Sequence, residues 1–147
     1  MSKHYEYDVY IAGSLANTTI PTITSIATSY ALAAFSEWYT PGPEADVNWR
    51  EYELSQGQSY LSALKRPAAQ LIYNFDKRYI DASAGMLLVG PAGKSAHLEL
   101  GYVLGQGKFG VIYLPEEPDR WDVMYNFASL VTHDIEEAFS FIKSAVR

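Results

Sequence analysis

Met86 to Gly90 reads MLLVG, Pro91-Ala92-Gly93 closes it, and Gly110 to Leu114 reads GVIYL. Between these two apolar runs Leu98, Leu100, Val103 and Leu104 recur at helical spacing, which predicts a helix over about Ser95 to Gln106 that stops at Gly107. Short apolar runs bounded by Gly and Pro are buried strands, so the segment is a strand-loop-helix-strand unit. The chain opens in the same way. Val9 to Ala12 (VYIA) is a buried strand ending in Gly13-Ser14. Ile23, Ile26, Ala27, Tyr30, Ala31 and Ala34 then predict a helix from about Ile20 to Ala34, with Pro21 in its first turn. A second strand is expected around Phe35 to Tyr39.

Thr40 to Val47 (TPGPEADV) is loop by its Pro and Gly content, and Asn48 to Gly57 is polar with no clear period. Tyr60, Leu61, Leu64, Ala68, Leu71, Ile72 and Phe75 form a helical stripe in which Pro67 imposes a kink or a break. Asp119 to Phe127 can hold a short helix, and Leu130-Val131 is a brief last strand. Asp134 suits the N-cap of a helix carrying Ile135, Ala138, Phe139, Ile142 and Val146. Strands alternating with helices imply an α/β domain, one unit over residues 1–147, with a parallel sheet covered on both faces. Ligands of such sheets sit at the carboxyl ends of the strands near the topological switch point, which directs attention to the loops after Ala12, Tyr39 and Gly90.

Composition narrows the function. Lys and Arg total 11 against 17 Asp and Glu, a formal net charge of -6, which argues against a nucleic-acid platform or an anionic membrane surface as partner. The chain has no Cys, so a disulfide framework, a thiolate zinc site and a cysteine nucleophile are excluded, and its three His offer little basis for a metal centre. The opening MSKHYEYDVYIAGS does not read as a signal peptide, and no apolar run approaches the ~18 residues of a membrane span. A cytoplasmic location is the expectation.

The segment Gly93-Lys94-Ser95-Ala96-His97-Leu98-Glu99 carries the most chemistry, because it sets polar side chains at the junction of a buried strand and a helix. Glu99 near a helix start complements the helix dipole, and a carboxylate in a cleft there can also act as nucleophile or general base. His97 and Glu99 are two apart and face different directions, so they do not form the i, i+4 pair of a zinc helix. His97 can cap, pack beside the sheet edge or reach a substrate, and Lys94 can bind an anion or stand solvated. Asp76 and Asp81 flank two basic residues, for which local ion pairing is the simplest reading. Trp38, Tyr39, Trp49 and Tyr52 can stack on a flat base or simply pack. Gly13 and Ser14 offer backbone N–H groups to a sugar or phosphate, although GSLANTT has no Gly-rich fingerprint and no P-loop lysine.

Together YIAGS, the PGP loop followed by Trp49, the Pro67 helix leading to Asp76, the block GKSAHLELGYVLGQGK and Met124-Tyr125 after an acidic proline turn resemble the nucleoside 2-deoxyribosyltransferase superfamily, which includes nucleoside 5'-monophosphate N-hydrolases. The resemblance covers nearly the whole chain, and its specific part is the Glu99 block. It implies a flavodoxin-like three-layer sandwich with a five-stranded parallel sheet, no cofactor, and a nucleoside or nucleotide as small-molecule substrate. It implies that Glu99 is the nucleophile that holds a covalent glycosyl intermediate, and that Asp76 assists the departing base. Tyr10, Gly13 and Ser14 match the loop lining the sugar pocket. A homo-oligomer is implied as well, with each site completed by a neighbouring subunit near Asp122 and Asn126. The chain departs from the family at Ala84, where relatives often carry Asp, and at Gly93, where transferases often carry a sugar-binding Asp and nucleotide hydrolases a phosphate-binding Ser. Leu15-Ala16-Asn17 also lacks the basic residue of nucleotide hydrolases, which leaves Lys94, Ser95 and Ser14 for a phosphate. Transfer of deoxyribose between bases, hydrolysis of monophosphates, and a nucleotide sensor without turnover are the three functions to separate.

Overall fold

The computed structural model describes residues 4–147, so Met1 to Lys3 of the opening segment lie outside the described residues. Five parallel strands, β1 (Val9–Ala12), β2 (Ala34–Phe35), β3 (Gly85–Val89), β4 (Phe109–Tyr113) and β5 (Leu130–Thr132), form one sheet in the order β2-β1-β3-β4-β5. Six helices cover it: α1 (Ile20–Ser29), α2 (Ala45–Ser55), α3 (Tyr60–Ala63), α4 (Pro67–Asp81), α5 (Lys94–Gly105) and α6 (Ile135–Ala145). This is a flavodoxin-like three-layer sandwich, and the strand order reverses between β1 and β3, which are paired with Ala12 opposite Leu88.

The two-residue period of the strands builds a core on each face. Val9, Ile11, Leu87, Val89 and Val111 pack against Ile20, Ile23 and Ala27 of α1 and Ala138, Phe139 and Ile142 of α6. Tyr10, Ala12, Met86, Leu88 and Ile112 point the other way, against Ile80 of α4 and Ala96, Leu100 and Val103 of α5. Helix α6 starts where expected, the Asp134 carboxylate accepting from the Glu136 and Glu137 amides at 2.9 and 3.4 Å. Gly107 follows α5 at φ 80°, a conformation that favours glycine.

Three segments depart from the periodicity. Helix α1 ends at Ser29 rather than Ala34, because the chain reverses through Ala31 at φ 58° and the Leu32 amide returns to the Ala27 carbonyl at 3.1 Å. The second strand is therefore Ala34–Phe35, and Glu37–Tyr39 forms a 3-10 turn instead of extending it, with the Trp38 indole donating to the Ile11 carbonyl at 2.6 Å. The polar stretch from Asn48 is helical. Helix α2 holds a single buried residue, Glu53, so it leaves no apolar stripe in the sequence. Pro67 produces a break rather than a kink: it stands at the first position of α4, after an extended Arg66. The stripe around it does not face the core, since Leu61, Leu71 and Ile72 are exposed.

Candidate active site

Helices α4 and α5 lie on one face of the sheet, where Ile80, Ala96, Leu100 and Val103 share a core, and a cleft is formed between them. Its lining follows helical spacing on both sides: Tyr73, Asp76, Lys77 and Ile80 from α4, and Ser95, Leu98, Glu99 and Tyr102 from α5, around a volume of about 350 Å³. Each set occupies positions i, i+3, i+4 and i+7, so one face of each helix builds one wall. Asp76 and Glu99, which are 23 apart in the chain, thus share a single cleft.

Both carboxyl groups are pushed up from their ordinary range. Burial raises Asp76 to about 6. Burial, and then the charge of Asp76, raise Glu99 to about 8. Tyr10 lies beneath them, 1% exposed and stacked on Phe35 with ring centroids 5.5 Å apart. Its hydroxyl is held firmly protonated, by burial first and then by the charges of Glu99 and Asp76. Lys77 is the cation of the lining, and its Nζ is held 2.8 Å from Asp81, which also accepts from the Tyr102 hydroxyl at 2.7 Å. Local ion pairing therefore describes Asp81, whereas Asp76 is turned into the cleft and makes no ion pair among the described residues.

The loops after β1 and β3 contribute no residue to this lining. Ser14 accepts from the Ala16 amide at 3.1 Å, and a Cβ on Gly13 would press on Ile20 Cδ1 and the Val89 carbonyl at 3.1 and 3.3 Å, so the β1 loop lies tight against the end of β3. Gly93 precedes α5 in an extended conformation with open space around it, and Lys94 and Ser95 are exposed in the helix's first turn. Ser95 is one turn from Glu99 on the same wall.

Other candidates fall elsewhere. His97 points away from the cleft: its Nδ1 meets the Gly93 carbonyl at 2.7 Å and its Nε2 the Tyr125 hydroxyl at 2.8 Å. Trp49 lies in a separate cleft of about 410 Å³ with Glu53 and Tyr60, its indole N–H buried and unpartnered. Trp38 and Trp49 belong to different aromatic pairs, Trp38 with Tyr39 and Trp49 with Tyr60. Asp122 caps a 3-10 turn, Val123–Phe127, by accepting from the Met124 amide at 2.9 Å, and Asn126 donates to the Val123 carbonyl at 3.0 Å. Both are exposed beside Trp121 and Tyr125, and neither lines the Asp76–Glu99 cleft of its own chain. Tyr73 and Tyr102 were not singled out from the sequence, and their three-residue offsets from Asp76 and Glu99 were the available signal; Leu98, read as part of the apolar stripe of α5, is exposed on the cleft instead.

Among the described residues no three His, Asp or Glu side chains converge as a metal site requires, and no helix is long and apolar enough to cross a membrane. No family model matches the chain, and no curated protein matches it.

Proposed function

We propose that the chain cleaves the N-glycosidic bond of 2'-deoxynucleosides and passes the deoxyribosyl group to a second base. The observation that carries this reading is the pair Asp76 and Glu99, two carboxyl groups in one cleft between α4 and α5, both raised by burial. Paired carboxyl groups whose environments hold one proton between them near neutrality are the equipment of retaining glycoside chemistry. The Glu99 carboxylate forms a bond to the anomeric carbon as the carbon–nitrogen bond breaks, and the electron pair leaves with the base. The Asp76 carboxyl group gives its proton to a ring nitrogen of that base. A second base then attacks the same carbon, the ester to Glu99 breaks, and the incoming base returns its proton to Asp76. Tyr10 remains neutral throughout.

The resemblance of the Glu99 block to nucleoside 2-deoxyribosyltransferases agrees with this chemistry. It also implies an assembly. Tyr73, Leu98 and Tyr102, on the rim of the cleft, and Leu61, Leu71 and Ile72 beyond it are all exposed, an apolar face that suits a second copy of the chain. Asp122 and Asn126, exposed and outside their own cleft, are free to complete a neighbour's. Hydrolysis of nucleoside 5'-monophosphates is the second reading, favoured by Lys94 and Ser95 at the α5 N-terminus, where backbone N–H groups attract an anion.

A chromatographic assay of deoxynucleosides and their 5'-monophosphates, each with and without a second free base, separates the readings. Transfer gives a new nucleoside only with the acceptor present. Base release from monophosphates alone establishes hydrolysis, and binding without turnover establishes a sensor.

A further inference from the structure

His97 sits on the face of α5 opposite Glu99 and joins two segments that the chain separates widely. A carbonyl only accepts, so the bond to Gly93 requires a proton on Nδ1. In the neutral ring Nε2 is then bare and accepts from the Tyr125 hydroxyl at 2.8 Å. The two rings also stack, with centroids 5.7 Å apart and planes within 17°. On one side this imidazole holds the Gly93 carbonyl, at the entry to the turn bearing Lys94 and Ser95. On the other it holds the Val123–Phe127 turn, whose cap is Asp122 and which contains Asn126.

We infer that His97 is a positioning residue that fixes the Gly93–Ser95 loop and the Asp122–Asn126 segment relative to each other, so that the substrate loop and the segment offered to a neighbouring subunit move as one. One ring carries both contacts, and no other side-chain hydrogen bond among the described residues links the Gly93–Ser95 loop to Val123–Phe127, while the Gly93 carbonyl also accepts from the His97 amide at 3.4 Å. The kinetic part rests on the glycosyl-transfer reading; the structural part does not.

Tyr125→Phe removes one hydroxyl, and His97→Ala removes the ring. Amide hydrogen exchange on the full chain is expected to rise about tenfold both at the His97 amide, which is bonded to the Gly93 carbonyl, and in residues 123–127 for either variant. Imidazole nitrogen resonances of the neutral wild-type ring should place the proton on Nδ1. With deoxynucleoside as substrate, KM should rise severalfold in Tyr125→Phe while kcat holds within about twofold. Faster exchange confined to residues 123–127 in Tyr125→Phe, or a proton on Nε2, overturns the coupling. Unchanged KM beside coupled exchange overturns its role in substrate binding, and absent turnover in wild type with coupled exchange overturns the transferase reading while leaving the structural link in place.

Discussion

At the scale of single residues, the chemistry depends on where one proton resides. With Asp76 raised to about 6 and Glu99 to about 8, the pair holds one proton between these values, mostly on Glu99, and the reacting form is the minor tautomer that carries it on Asp76 and leaves Glu99 ionised. Below about 6 both groups are protonated and the nucleophile is lost; above about 8 both are ionised and the acid is lost. The pH profile of kcat/KM is therefore expected to be a bell with those limbs, and Asp76→Asn should lower the rate and remove the alkaline limb. A single-limbed wild-type profile would contradict the pairing. The same shifts have a cost for stability. Both carboxyl groups bind protons more tightly in the fold than in the unfolded chain, so stability falls as pH rises from about 4 to about 8. Glu99→Gln, which cannot ionise, should flatten this slope and raise stability by about 1 kcal/mol at the alkaline end, a figure reduced for solvent screening at the open cleft. Melting temperature against pH for both proteins measures it.

At the scale of elements, legibility followed the amount of apolar surface each element buries. Strands β1, β3, β4 and β5 and helices α5 and α6 bury regular faces in the two cores, and their positions were readable within a residue or two, whereas β2 was expected to run on to Tyr39 and ends at Phe35. Asp134 and Gly107 marked helix ends through their own chemistry. The end of α1 was not readable, because Ala31 in a left-handed turn carries no sequence mark. Helix α2 was invisible for a different reason: its buried residue is a charge. Glu53, 3% exposed, is held by Arg66 Nε at 2.9 Å, a long-range pairing that periodicity does not report. Arg66→Ala leaves that carboxylate buried without its cation and is expected to cost about 3 kcal/mol, read as a lower urea midpoint. The paired change Glu53→Gln with Arg66→Met should recover most of the loss, and equal destabilisation by both variants would contradict the pairing. Of the candidate site, Glu99 was singled out by its own block, whereas Asp76 read as a local ion pair and was reached only through the family resemblance. Their shared cleft was not legible, since it arises from the packing of two helix faces, and His97 and Trp49 were drawn elsewhere by partners at positions 93, 125 and 60.

At the scale of the whole molecule, the cleft lies between two helices on one face of the sheet, and the exposed apolar face of α3, α4 and α5 rims it. If a second copy covers that face, Leu71→Glu, a charge at a position 69% exposed, should leave the monomer folded and shift sedimentation from dimer toward monomer. Activity should fall with it, because Asp122 and Asn126 would no longer reach a neighbour's cleft. Wild-type chain sedimenting as a monomer would contradict this assembly. The central claim, covalent transfer through Glu99, is tested most directly by the intact mass of the chain after incubation with a 2-fluoro-2-deoxynucleoside, followed by peptide mapping. A chain heavier by one fluorinated sugar, with the adduct on the peptide containing Glu99 and absent in Glu99→Gln, is the expected result. Release of free base with no mass change at any time, or an adduct that persists in Glu99→Gln, would contradict it.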